Sequence, residues 1–166
     1  METTQKKYQS IERHGKSGTH LTIEGNPHII IQEKLDGANA SFRRVGDKTL
    51  AFSRNNQLEV GKTLRGFFEW TQENINPDSI KDHLIYYGEW LVRHKLDYGE
   101  NHNKFYLFDI YDNNKGEYLD FDAVKSESTR LGLLHVPVFY EGEFQSLEHI
   151  QSFVGKSVLV EIGEGI

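Results

Sequence analysis

The sequence predicts an α+β fold, and three observations lead there. Short runs dense in isoleucine, valine, phenylalanine and tyrosine have the length and composition of strands. Residues 60–75 and 122–131 instead repeat their apolar positions at helical spacing. Between two of the strand-like runs, Gly46-Asp47-Lys48 supplies turn chemistry, so those two runs form a hairpin.

Each element follows from local chemistry. Residues 1–20 are polar, and Gly15 and Gly18 mark a loop. Ile29–Ile31 is a β-branched strand bounded by Pro27 and Gly37. Ala38–Val45 and Thr49–Ser53 are the hairpin strands, which puts Arg54 at the far end of that ribbon. Leu64, Phe67, Phe68 and Ile75 place an amphipathic helix between Val60 and Ile75, ended by Asn76-Pro77, with its aromatics read as core. Leu84–Val92 is too apolar for an edge strand, yet it carries Glu89, and a carboxylate there needs a partner because an unpaired buried charge is costly. Phe105–Tyr111 is a further strand, Asp122–Leu131 a helix closed by Gly132, and Val136–Tyr140 extended again. A short helix from Ser146 to about Gly155 and a β-like run Ser157–Ile162 complete the reading.

Composition narrows the class. With 166 residues the chain is most simply one domain, 37% hydrophobic and 27% charged. The absence of cysteine excludes disulfides and thiolate metal sites and fits a reducing compartment. METTQKKYQS has no apolar signal core and no run approaches a membrane span, so a cytoplasmic protein with no membrane partner is expected, and a monomer is the expected state. The formal charge of −6 argues against a general nucleic-acid coat protein, but it is unevenly spread. Arg43, Arg44, Lys48, Arg54, Lys62 and Arg65 face only Asp47 and Glu59 along that stretch, which suggests a local phosphate-binding patch. Three Gly-Lys-Ser/Thr strings fail as P-loops, because Ser10, Asn56 and Ile150 stand where the earlier glycine is required. No two histidines have metal-ligand spacing on one helix face.

The stretch that carries chemistry is Glu33-Lys34-Leu35-Asp36-Gly37, after the apolar run His28–Ile31. A free lysine amine has a pKa of roughly 10.4 and attacks only when its surroundings favour the neutral form. Burial or a neighbouring cation would favour it, whereas ionised Glu33 and Asp36 act the other way until substrate and metal arrive. The plain alternative is an exposed lysine in a strand-ending turn.

Lys34-Leu35-Asp36-Gly37, Ser53-Arg54, Tyr87-Gly88-Glu89-Trp90, Phe105-Tyr106-Leu107-Phe108-Asp109 and Glu164-Gly165-Ile166 together, in that order, resemble the motifs of covalent nucleotidyltransferases. These are the ATP-dependent RNA and DNA ligases and the mRNA capping enzymes. The likeness is to the RNA-end-joining branch, with Asn39 and Arg54 at matching separations, and it runs from about residue 28 to the end. It implies twisted antiparallel sheets around a nucleotide pocket with helices outside. The implied chemistry is ATP-dependent: Lys34 takes AMP in a phosphoramide bond, AMP passes to a 5′-phosphate RNA end, and a 3′-hydroxyl displaces it.

By the same resemblance, Glu33 reads the adenine edge, Phe108 stacks on the base, and Glu89 bonds the ribose. Arg54 positions phosphate or ribose, Asn39 helps align the nucleotide and the accepting end, Asp36 and Gly37 shape the turn, and Glu164 helps hold Mg2+ or Mn2+. A final lysine-bearing motif and a carboxy-terminal domain, also expected from the resemblance, do not appear in the sequence, so residues 1–166 read as an adenylation domain. A DNA ligase or a capping-type guanylyltransferase, which share the lysine chemistry, and a non-catalytic nucleic-acid-binding module of the same fold are the alternatives, with DNA a possible substrate in place of RNA.

Overall fold

The computed structural model describes residues 4–10 and 25–163, which form an α+β arrangement with mainly antiparallel sheets. They fall into two compact units, one of residues 4–6 and 35–136, the other of residues 7–10, 25–34 and 137–163.

The larger unit is built on a six-stranded sheet. Strands β2 (Ala38–Val45) and β3 (Lys48–Ser53) form the expected hairpin, turned at Gly46, whose φ of 62° favours glycine. β4 (Leu84–Trp90) lies between β2 and β5 (Phe105–Asp112), antiparallel to both, which accounts for its nearly unbroken apolar sequence. At the outer edge of β5, β6 (Glu117–Tyr118) pairs antiparallel at one end and β7 (Leu134–His135) pairs parallel at the other.

Register divides the sheet into two faces. Phe42, Tyr86, Trp90, Phe105, Leu107 and Ile110 form the buried core face, with Phe42 stacked on Tyr86 at 4.9 Å. Asn39, Ser41, Tyr87, Glu89, Tyr106 and Asp109 take the other face by the same pairings. Part of that face lies under residues 4–6: Gln5 donates to Ser41 Oγ at 2.5 Å, the Tyr87 hydroxyl donates to the Lys6 carbonyl, and Lys6 Nζ sits 4.5 Å from the Tyr111 ring centre.

Helix α1 (Phe67–Asn74) is shorter than its sequence pattern suggests. Leu64, Arg65 and Gly66 take φ values of 52°, 51° and 92°, so residues 60–66 cannot be helical and the helix starts at Phe67. Its aromatics are core as expected: Phe67 is fully buried and its ring lies 5.4–5.8 Å from those of Trp70, Trp90 and Phe105. Helix α2 (Phe121–Leu131) begins with the Asp120 side chain accepting from Ala123 N–H and ends at left-handed Gly132. Its buried Glu127 accepts from Tyr86 and Arg130, and the Arg130 hydrogen bond is the main reason its carboxyl is held below the usual range.

In the smaller unit, β1 (His28–Gln32) pairs antiparallel with β8 (Val138–Glu143). Helix α3 (Leu147–Gln151), capped by Ser146, brings Phe153 to stack on Phe139 at 5.3 Å. Residues 157–162 are not the strand their sequence suggests. The Ser157 hydroxyl bonds the N–H groups of Leu159 and Val160, folding the chain locally, and Val158 and Ile162 are 63% and 73% exposed.

At Gly88 the packing of β4 against β5 leaves no room for a side chain. A Cβ there would lie 2.3 Å from the Phe105 ring and 2.4 Å from the Tyr106 carbonyl. Gly88→Ala is therefore expected to lower stability by about 1–3 kcal/mol, read as a lower denaturant midpoint at unchanged slope.

Candidate active site

The segment after Lys34 is fixed by an unusually complete set of hydrogen bonds. Asp36 is 7% exposed, and burial alone would raise its carboxyl pKa. Three donors more than offset that: His94 Nδ1 at 2.7 Å from Oδ1, and the Lys95 and Leu96 N–H groups at 2.8 and 2.9 Å from Oδ2. The carboxyl is consequently held below the ordinary range. Its own N–H donates to the Tyr98 hydroxyl at 2.8 Å. Asp36 thus does more than shape a turn: it ties the start of β2 to the loop that follows β4.

Gly37 makes the next contact. Its N–H donates to Glu89 Oε1 at 3.0 Å, which supplies a partner for the carboxylate inside β4. A Cβ at residue 37 would fall 2.5 Å from the Trp90 carbonyl, so glycine is required here by closeness of backbones.

A cleft of about 360 Å³ opens at this end of the sheet. It is lined by Gly37, Ala38 and Asn39 from the start of β2, Ser53, Arg54 and Asn55 from the end of β3, Glu89 from β4, and Leu64. Four residues expected from sequence, Gly37, Asn39, Arg54 and Glu89, are thereby brought together. Antiparallel pairing is the cause: Asn39 lies opposite Glu89, and Ala40 opposite Ser53, so sequence separations of 50 and 13 residues become neighbouring strands. The cleft presents a guanidinium, a carboxylate and a carboxamide, chemistry suited to phosphate and hydroxyl groups.

Phe108 is not among the residues lining that cleft. It occupies a β-bulge: Tyr87 pairs with Asp109 and Gly88 with Leu107, which leaves Phe108 as the extra residue of β5. Alternation from Leu107 puts its side chain on the Glu89 face, half-buried.

Glu33 and Lys34 belong to the smaller unit. Glu33 is 3% exposed; its carboxylate accepts from the Ser157 hydroxyl and, at 2.9 Å, from Val158 N–H, while its own N–H donates to the Pro137 carbonyl at 2.8 Å. These bonds account for its burial. Lys34 is half-buried. Glu164 lies outside the described residues, and among those described no three His, Asp or Glu side chains are grouped to hold a metal ion.

Sequence reasoning missed His94, Tyr98, Asn55 and Leu64. His94 and Tyr98 reach Asp36 across 58 and 62 residues, and no local signal announces such a contact.

The family model described as RNA ligase matches residues 27–166. No curated protein matches the chain. Among solved structures, a single-residue variant of a Naegleria gruberi RNA ligase with ATP and Mn is similar with a TM-score of 0.68 and 22% identity, over 82% of this chain and 44% of that one. A second variant without ligand gives 0.65 and 23%, over 83% and 44%; a third, with AMP and Mn, gives 0.61 and 23%, over 82% and 44%. The chain spans less than half the length of these structures, and at such identity the likeness is one of fold.

The Asp36 joint makes a pH prediction. A carboxyl whose folded pKa is depressed adds stability above its unfolded pKa, about 3.9, and loses it as pH falls through the lower folded value. Asp36→Asn is expected to be less stable than the natural chain at pH 7, with the gap closing below about pH 4, as read by thermal unfolding across pH.

Proposed function

The chain belongs to the RNA ligase family over residues 27–166, and on that basis we propose that it is the adenylation part of an ATP-dependent RNA ligase with the nucleotidyltransferase fold. The observation that carries this reading is the cleft in which Gly37, Asn39, Arg54 and Glu89 gather, three residues along the chain from Lys34.

The chemistry assigned to these residues is as follows. The neutral Lys34 amine attacks the α-phosphorus of ATP; a P–N bond forms, the bond to the β-bridging oxygen breaks, and pyrophosphate leaves with that electron pair. The ammonium proton lost from Nζ passes to solvent or to the leaving group. Arg54 offers a planar fork to phosphate oxygens, and Asn39 offers both donor and acceptor to the nucleotide and the accepting end. Glu89, which accepts from Gly37 N–H, offers its carboxylate to a ribose hydroxyl.

The RNA 5′-phosphate then attacks the adenylate, freeing Lys34, and a 3′-hydroxyl displaces AMP to seal the strand. Phe108 contributes an aromatic face for the base, and Glu33 an adenine contact in addition to its bonds within the smaller unit. Mg2+ or Mn2+ would neutralise phosphate charge. The described residues supply no clustered ligands for it, so the role expected of Glu164 stays within this proposal.

Incubation with α-labelled ATP is expected to leave label on the protein in denaturing gels, and Lys34→Ala and Lys34→Arg to abolish it, since arginine stays protonated. Label retained by Lys34→Ala overturns the assignment, and label from GTP alone turns it towards guanylyl transfer. Glu89→Gln keeps an acceptor for Gly37 N–H, so it is expected to fold normally yet load AMP about 10²-fold more slowly.

A further inference from the structure

The six cations that stand close together between residues 43 and 65 do not form one patch. Arg44 and Lys48 lie at the hairpin turn, where Arg44 bonds the Gly46 carbonyl and pairs with Asp78 at 3.3 Å. Arg54 sits at the other end of the same ribbon and lines the cleft. Arg65 joins it from the segment before α1: its Nη1 donates to the Arg93 carbonyl at 2.9 Å, and its own carbonyl accepts from Trp90 Nε1 at 3.3 Å. That contact brings in the loop after β4, where the Arg93 side chain is 77% exposed and Lys95, also exposed, follows two residues on. Arg54, Arg65, Arg93 and Lys95 are thus gathered at the cleft end of a chain with a formal charge of −6. The acidic groups placed beside them are Glu89, which lines the cleft with Arg54, buried Asp36, which accepts from Lys95 N–H, and exposed Asp97, 3.9 Å from Arg93.

The backbone that sets this rim is strained. Leu64 and Arg65 hold φ of 52° and 51°, a region that costs non-glycine residues free energy. With that conformation Leu64 lines the cleft while Arg65 stays exposed at its edge. A glycine at 65 would relieve the strain, and an arginine is there instead.

We propose that Arg65, Arg93 and Lys95, beside Arg54, form the surface on which the sugar–phosphate backbone of the RNA strand lies while its 5′-phosphate end is presented to the cleft. This rests on the ligase reading above. Guanidinium forks match phosphate oxygens, and a local cationic rim lets an otherwise acidic chain accept a polyanion in one orientation.

The test uses the full chain and a fluorescent, 5′-phosphorylated single-stranded RNA oligonucleotide, titrated from 50 to 200 mM salt, conditions of about that range being sensitive to phosphate contacts. Arg65→Gly and Arg93→Ala are each expected to weaken binding roughly fivefold at low salt and to make the log affinity against log salt slope shallower by about 0.7. Arg65→Gly is also expected to melt no lower than the natural chain, because glycine accepts this φ, so its weaker binding is not loss of fold. Unchanged affinity and slope in both variants, or an equal loss in Arg44→Ala at the hairpin end, overturns the surface. The ATP adduct of the natural chain is scored in parallel. An adduct without arginine-dependent RNA binding overturns the surface and leaves the lysine chemistry standing; arginine-dependent binding without an adduct does the reverse.

Discussion

Taking a carboxylate out of water is costly unless donors replace the water, and Asp36 receives them from His94, Lys95 and Leu96. That one buried anion joins the segment leaving Lys34 to the loop leaving β4. Gly37, next in the chain, closes the joint by donating to Glu89 while its missing side chain lets the Trp90 carbonyl approach. Because both attachments are to β4 and the residues just after it, the path of the chain away from Lys34 is set by the central strand of the sheet. The rest of the cleft is built outward from that strand.

The sheet separates stability from chemistry by using its two faces differently. Phe42, Tyr86, Trp90 and Phe105 fill one face with stacked and tilted rings, and Gly88 gives the Phe105 ring room to lie against β4. The opposite face carries Asn39 and Glu89 as directly paired neighbours. A core packed on one side holds the strands in register, and register alone fixes which polar residues meet on the other. The bulge at Phe108 fits this division, since an extra residue on β5 gives the Glu89 face an aromatic ring without displacing the core residues on either side.

The strained turn at Leu64–Arg65 and the cationic loop after β4 show how a surface can acquire a local charge unlike that of the whole chain. Neither segment is regular structure. Each is held by hydrogen bonds: Trp90 Nε1, from β4, to the Arg65 carbonyl, and the Lys95 and Leu96 N–H groups to Asp36, two residues before β2. Loops fixed in this manner can present charged side chains with little cost of ordering on binding.

The strands were legible in the sequence because β-branched and aromatic runs bounded by turn residues carry a local signal, and the motif residues were legible through resemblance to a family. Helix α1 was misjudged at its start, since periodicity registers Leu64 but not the left-handed backbone at 64–66. Residues 157–162 looked extended, but a strand needs a neighbour, and Ser157 turns the chain on itself instead. What the sequence determined by itself was composition, element type and the Lys34–Gly37 segment, all set by residues near one another in the chain. Only the tertiary structure decided that Asp36 would meet His94, that Arg54 and Glu89 would share a cleft, and that Arg44 and Lys48 would lie at one end of a ribbon and Arg54 at the other. Those outcomes depend on strand pairing between residues far apart in sequence, which no short window contains.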